Sequence, residues 1–241
     1  MKFNAYLIAL LFPLLIVAQQ KNDKAKLSDI ISKSATFYEK QKCFELNIDY
    51  KVFSSYTSSN VTETYKSTLI NNNKDYYYKL HTTEFVKVGN EVLKVDHKSK
   101  AIEYTGEIDL QDQDSYYNLK KYLDFFSQFE VATEGDFFKC TLSTPEISTL
   151  PYSKIVLYIN KTNYQVSKQI FYFLVTSPYK DKKGIIKSDY PRMEVTQIDF
   201  KSGIGKFSDK LLLQNYVIKN KSKVSPSSKL MGYKVFDLTK N

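Results

Sequence analysis

The chain of 241 residues has two cysteines, two histidines, no tryptophan and a single arginine among its 35 basic residues. With Cys43 and Cys140 as the only thiols and His81 and His97 as the only imidazoles, no ligand set for a zinc centre exists. Neither histidine stands beside a nucleophile in sequence. The lone arginine, Arg192, argues against the planar, forked recognition of phosphates and bases on which nucleic-acid binders lean, and the lysines are spread along the whole chain. Only seven glycines occur, and there is no Walker-type phosphate loop, no G-x-S-x-G elbow and no H-E-x-x-H pair. Asp109, Asp112 and Asp114 read as a solvated loop before a helix, not as paired carboxylates for acid and base work. The expectation is a protein without catalysis, cofactor or metal. No linker rich in Pro, Gly or Ser divides the chain, and no segment repeats at a fixed period.

The one long apolar run is at the start. Lys2 precedes Ala5 to Val17, and Ala18-Gln19-Gln20 follows. This pattern of basic n-region, short apolar stretch and small residue reads as a secretory signal cut after Ala18. The run stops well short of the ~20 residues a membrane helix needs. Residues 1–18 are therefore expected to be a signal peptide and 19–241 a single exported domain. No cysteine follows the cut, so the mature N-terminus lacks a thiol for lipid attachment. Export permits a disulfide, yet strand alternation puts Cys43 on a face with Glu45 and Asn47, and Cys140 on one with Phe138 and Leu142, which disfavours a bridge. The formal charge of +9 suits a solvated Lys-rich surface, an anionic lipid or an acidic partner.

Most of the remainder has the composition of a pleated sheet. Phe44, Leu46, Ile48, Tyr50 and Val52 alternate with Glu45, Asn47, Asp49 and Lys51, the mark of a strand with one apolar and one wet face. Val61 to Ile70 continues it. Tyr76 to Thr105 reads as a meander whose Gly89-Asn90 tip supplies the positive φ of a tight hairpin. Further strands are expected at Glu130 to Thr133, Phe137 to Ser143, Ile155 to Ile159, Tyr164 to Val175, Arg192 to Phe200, Leu211 to Val217 and Tyr233 to Leu238. Ser177 to Lys187 and Lys219 to Lys229 are expected to be polar loops. Two stretches have helical spacing instead: Asp29 to Tyr38, with Ser28 as cap, and Ser115 to Gln128, with Tyr116, Leu119, Tyr122, Leu123, Phe126 and Phe129 on the helical period.

YYYKLHTTEFVKVGNEVLKVDHKSKAIEY (76–104), SKIVLYINKTNYQVSKQIFYF (153–173) and RMEVTQIDFKSG (192–203), placed behind an export signal and around a mid-chain helix, resemble the lipoprotein-carrier superfamily typified by LolA. The resemblance implies a mainly β (α+β) fold: a strongly curved antiparallel sheet or incomplete β-barrel covered by an N-terminal helix and a mid-chain helical lid. It also implies a hydrophobic cavity, with Phe44, Leu46, Ile48, Tyr50 and Val52 as floor and Tyr122, Leu123 and Phe126 on the lid. The partners implied are the acyl chains of a lipoprotein or lipid, with envelope proteins as donor and acceptor, no nucleic acid, and a monomer in the periplasm of a Gram-negative bacterium. An envelope sensor or assembly protein on the same half-barrel is the alternative. The sequons at Asn60, Asn160 and Asn220 keep a secreted protein as an alternative location. The sequence departs from the family in having no early-strand arginine to latch the lid, no Arg-Pro pair and no tryptophan in the middle strands, which puts the latch-and-release mechanism in question.

Overall fold

The structure, a computed structural model, describes residues 23–107, 123–181, 183–203, 208–220 and 223–240. Among the described residues the fold is mainly β with one α-helix, and the large antiparallel sheet does not close into a barrel, the fold class expected. Helix α1 spans 23–40. The strands are β1 (Cys43–Phe53), β2 (Val61–Asn72), β3 (Asp75–Leu80), β4 (Thr83–Val88), β5 (Glu91–Asp96), β6 (Ala101–Glu107), β7 (Gln128–Glu134), β8 (Phe137–Ser143), β9 (Tyr152–Asn160), β10 (Val166–Phe173), β11 (Ser177–Lys180), β12 (Ile186–Asp189), β13 (Arg192–Ser202), β14 (Val217–Asn220), β15 (Lys223–Pro226) and β16 (Lys234–Asp237). Twelve form one sheet in the order β16-β6-β5-β4-β3-β2-β1-β13-β10-β9-β8-β7, while β11-β12 and β14-β15 are separate ribbons. The last strand, β16, lies parallel to β6. Among the described residues no helix is long and apolar enough to cross a membrane.

The chain falls into two compact units. Unit 1 comprises residues 1–38, 51–63 and 115–195, and unit 2 residues 39–50, 64–114 and 196–241. In unit 1, β7 to β10 carry one apolar face. Their register aligns Phe129 with Leu142, Val131 with Cys140, Cys140 with Leu157, and Ile159 with Val166. Helix α1 packs on it through buried Leu27, Ile30, Ile31 and Tyr38. The Tyr38 hydroxyl accepts a hydrogen bond from the Val166 amide at 3.2 Å, and Lys24 sits over the Phe129 ring. On the opposite face Lys139 and Lys168 lie over Tyr158, and Lys154 over Tyr172. Their aliphatic stems and the rings shelter Val156 and Ile170, which are buried there.

Unit 2 is the expected meander. Its turns are tight because their first residues take a positive φ: Asn73, His81 and Gly89. At Gly89-Asn90 only the glycine does so (φ 58°), the pattern of a type II′ turn, in which glycine leads. Ile70, Tyr77, Val86, Leu93, Val95, Ile102 and Tyr104 line one face, and Leu211, Tyr216 and Val217 close over it.

Several boundaries differ from expectation. Helix α1 begins at Asp23, so Ser28 is interior and not a cap; its carbonyl accepts from the Ser32 hydroxyl. The expected helix 115–128 lies largely outside the described residues. Its end is corrected, because Leu123 to Phe125 form a single 3-10 turn and Gln128 already pairs with Ser143 in β7. The supposed loop 177–187 is a hairpin, β11-β12, and 219–229 contains β14-β15. Leu211 to Val217 is two 3-10 turns with a strand starting only at Val217.

Candidate functional site

Strand β1 shows directly which way its side chains point. The Thr68 hydroxyl donates to Asn47 Oδ1 at 2.9 Å, and Cys43 Sγ donates to Asn72 Oδ1. The face with Asn47, Cys43 and Thr68 is also that of Ile70, the one closed by the C-terminal segment. Phe44, Leu46, Ile48 and Tyr50 therefore point the other way, to the face of Ser67, Leu69 and Tyr78. The Tyr50 and Tyr78 hydroxyls lie 3.2 Å apart, the Ser67 hydroxyl approaches Tyr50, and Tyr78 stacks on Phe85. Phe44 meets the Phe200 ring at 5.3 Å. Across β1 to β3 the face opposite the one closed by the C-terminal segment is thus apolar as well. Phe44, Leu46 and Ile48 are buried in the structure, while Tyr50 and, in unit 1, Val52 are half-buried. Of the expected lid residues, Leu123 and Phe126 are buried in unit 1, and Tyr122 lies outside the described residues.

Both cysteines are free. Burial pushes the Cys140 thiol up to about 12, partly opposed by Lys26, so it is not a nucleophile at neutral pH. No group of acids, histidines and cysteines fit to hold a metal occurs among the described residues.

Two polar clusters went unseen in the sequence. In unit 1, Arg192 donates from Nη1 to the carbonyls of Ser55 (3.0 Å), Tyr56 (3.2 Å) and Ser58 (2.7 Å). It pairs through Nε and Nη2 with Glu194 Oε1 and lies 3.9 Å over the Phe53 ring. The one arginine thus fastens the β1–β2 loop. The rarity of arginine was the available signal, but nothing in the sequence named its carbonyl partners. In unit 2, buried Glu84 receives Lys79 Nζ (3.1 Å) and His97 Nε2 (2.9 Å), and His97 Nδ1 meets the Tyr233 hydroxyl at 2.8 Å. Which ring nitrogen donates is set by the tautomer, and both nitrogens are engaged. Lys79 and Glu84 are cross-strand partners, a pairing that fixes this cluster as a staple between strands and the C-terminal segment. Burial first, and then the negative field of Glu84, pushes the Tyr77 and Tyr216 phenols upward.

No protein-family model matches the sequence, and no curated protein matches it. Solved structures do. The chain is similar to proteins of the LolA superfamily. One from Nitrosomonas europaea has 13% identity and a TM-score of 0.32, over 73% of this chain and 93% of that one. An uncharacterized conserved protein from Thermus thermophilus has 10% identity and a TM-score of 0.45, over 88% and 99%. Lipoprotein LppX from Mycobacterium tuberculosis has 9% identity and a TM-score of 0.44, over 75% and 98%.

Proposed function

We propose that the protein is exported, has no catalytic role, and binds and carries a hydrophobic ligand, the acyl chains of a lipoprotein or of another lipid, across the aqueous space of an envelope. The observation that supports this reading is the apolar row on the β1–β3 part of unit 2, on the face away from the C-terminal segment. A sheet exposed to water on one side alternates apolar and polar residues. Here the β1–β3 region adds the row Phe44, Leu46, Ile48, Leu69 and Tyr78 behind a face the C-terminal segment already covers. Each methylene moved from water onto such a face is worth roughly 0.8 kcal/mol, so an alkyl chain gains affinity without specific polar contacts. Tyr50, Tyr78 and Ser67 supply hydroxyls beside it that a carbonyl or ester oxygen would accept from. Release is then a matter of relative affinities, with no nucleotide.

Native mass spectrometry of protein exported in its own host, followed by organic extraction, tests this. We expect a mass above that of the polypeptide and a lipid in the extract. A polypeptide mass alone with a lipid-free extract overturns the carrier and leaves a protein-binding module.

A further inference from the structure

We propose that the β11-β12 hairpin end of unit 1 docks on an anionic lipid surface. The ribbon is not part of the large sheet. It leaves β10 through Leu174 and Val175 and returns to β13 through Tyr190, with Ser177 opposite Asp189 at its base. These linkers are anchored: the Leu174 amide donates to the Pro151 carbonyl, the Phe173 amide to that of Pro191, and Tyr56 packs against Tyr190. The ribbon therefore projects from one fixed end of the unit, beside the 144–151 loop that carries Ile147.

The apolar residues there face water. Ile147 is 92% exposed, Ile186 70%, Val175 68% and Ile185 55%, and Leu174 and Tyr190 are exposed as well. A soluble surface rarely gathers so many large apolar side chains at one end without a use for them.

The charge beside them is positive. Residues 177–189 hold four lysines and two aspartates. One of those acids is already engaged: Asp181 Oδ1 accepts from the Lys183 and Ile185 amides, and Oδ2 pairs with Lys187 at 2.9 Å. Lys180 and Lys183 are exposed. Across the ribbon Lys180 is the partner of Ile186, so a cation and an isoleucine sit side by side on one face. Aliphatic tips that enter the acyl boundary with ammonium groups at headgroup level match an anionic bilayer. A protein groove would meet the lysines with its own carboxylates and a far less uniform field. The inference stands apart from the carrier reading, since it uses none of the residues of β1.

The test is co-sedimentation of the mature chain with vesicles of phosphatidylethanolamine and phosphatidylglycerol, against vesicles of phosphatidylcholine alone. Binding is expected only to the anionic vesicles and weakens with salt. Ile185→Ser with Ile186→Ser lowers it about tenfold per residue, and Lys180→Gln with Lys183→Gln about fivefold per residue. Lipid extracted from either variant stays as in the parent, which separates this surface from the proposed carrier site. Because the chain has no tryptophan, Ile186→Trp provides a single tryptophan, excited selectively over the tyrosines, whose emission shifts to the blue on the anionic vesicles. Parent protein left in the supernatant, undiminished binding by the isoleucine variant, or an unshifted tryptophan overturns the proposal. So does self-association of the parent that Ile186→Ser abolishes, which would put a second copy on this surface.

Discussion

Arg192 gathers more bonds than any other side chain described above: three loop carbonyls, one carboxylate and an aromatic face, while its side chain is only 13% exposed. Lysine has the charge but not the fork, so it cannot reach three carbonyls and Glu194 together. Arg192→Lys is expected to cost about 1.5–3 kcal/mol, the range for hydrogen bonds to a charged group, read as a lower urea midpoint at an unchanged slope. Tyr233→Phe removes one hydrogen bond to His97 and should cost about 1 kcal/mol in the same measurement. The cysteines separate by burial. Half-exposed Cys43 is expected to react with a thiol reagent in the native protein, and Cys140 only when denaturant is added. Two thiols titrating at one rate in buffer would contradict that. Neither cluster is legible along the chain, because each joins residues far apart: Arg192 to Ser55, and Glu84 to His97 to Tyr233.

Strands were the most legible elements, since alternation is a local property. Phe44 to Val52, Phe137 to Ser143 and the meander around Gly89 were all foreseen, and in each run buried side chains alternate with half-buried ones. The two ribbons were not foreseen. Lys180, Ile186, Lys219 and Lys223 show no alternation because neither ribbon buries a face in the large sheet, and a polar, glycine-bearing segment reads as loop. Helix α1 was found but started late: its first turn carries Asp23, Lys24 and Lys26 around the single buried Leu27, too little periodicity to see. The apolar side of β1 is buried as its alternation suggests; that Ile70 and Tyr77, on the other face of the sheet, are covered depends on Leu211, Tyr216 and Val217, far along the chain. At this scale Phe44→Ala is expected to cost about 3–5 kcal/mol, since the ring is wholly buried, whereas Ile186→Ser should leave stability within about 0.5 kcal/mol. Thermal melts of the two variants side by side check both.

At the scale of the molecule, acid and alkali are not symmetric. The Tyr77, Tyr216 and Cys140 groups all hold their protons more tightly in the folded chain than outside it, chiefly because burial disfavours the charged form. Above their ordinary values the unfolded chain has lost protons that the folded chain retains, and stability falls as pH rises. The loss begins near 9.0, the ordinary thiol value, and steepens past 10.0, that of tyrosine. Urea midpoints stepped upward from neutrality should be level at first and then drop. A flat alkaline limb would mean that these side chains are solvated in solution.

The closure of unit 2 by its own C-terminal segment sets an order of events. Ile70, Val86, Leu93 and Ile102 are made well before their cover, Leu211 to Val235. Until then the nascent meander presents a sticky surface to its neighbours. One face of the meander therefore stays open until the segment that covers it has been made.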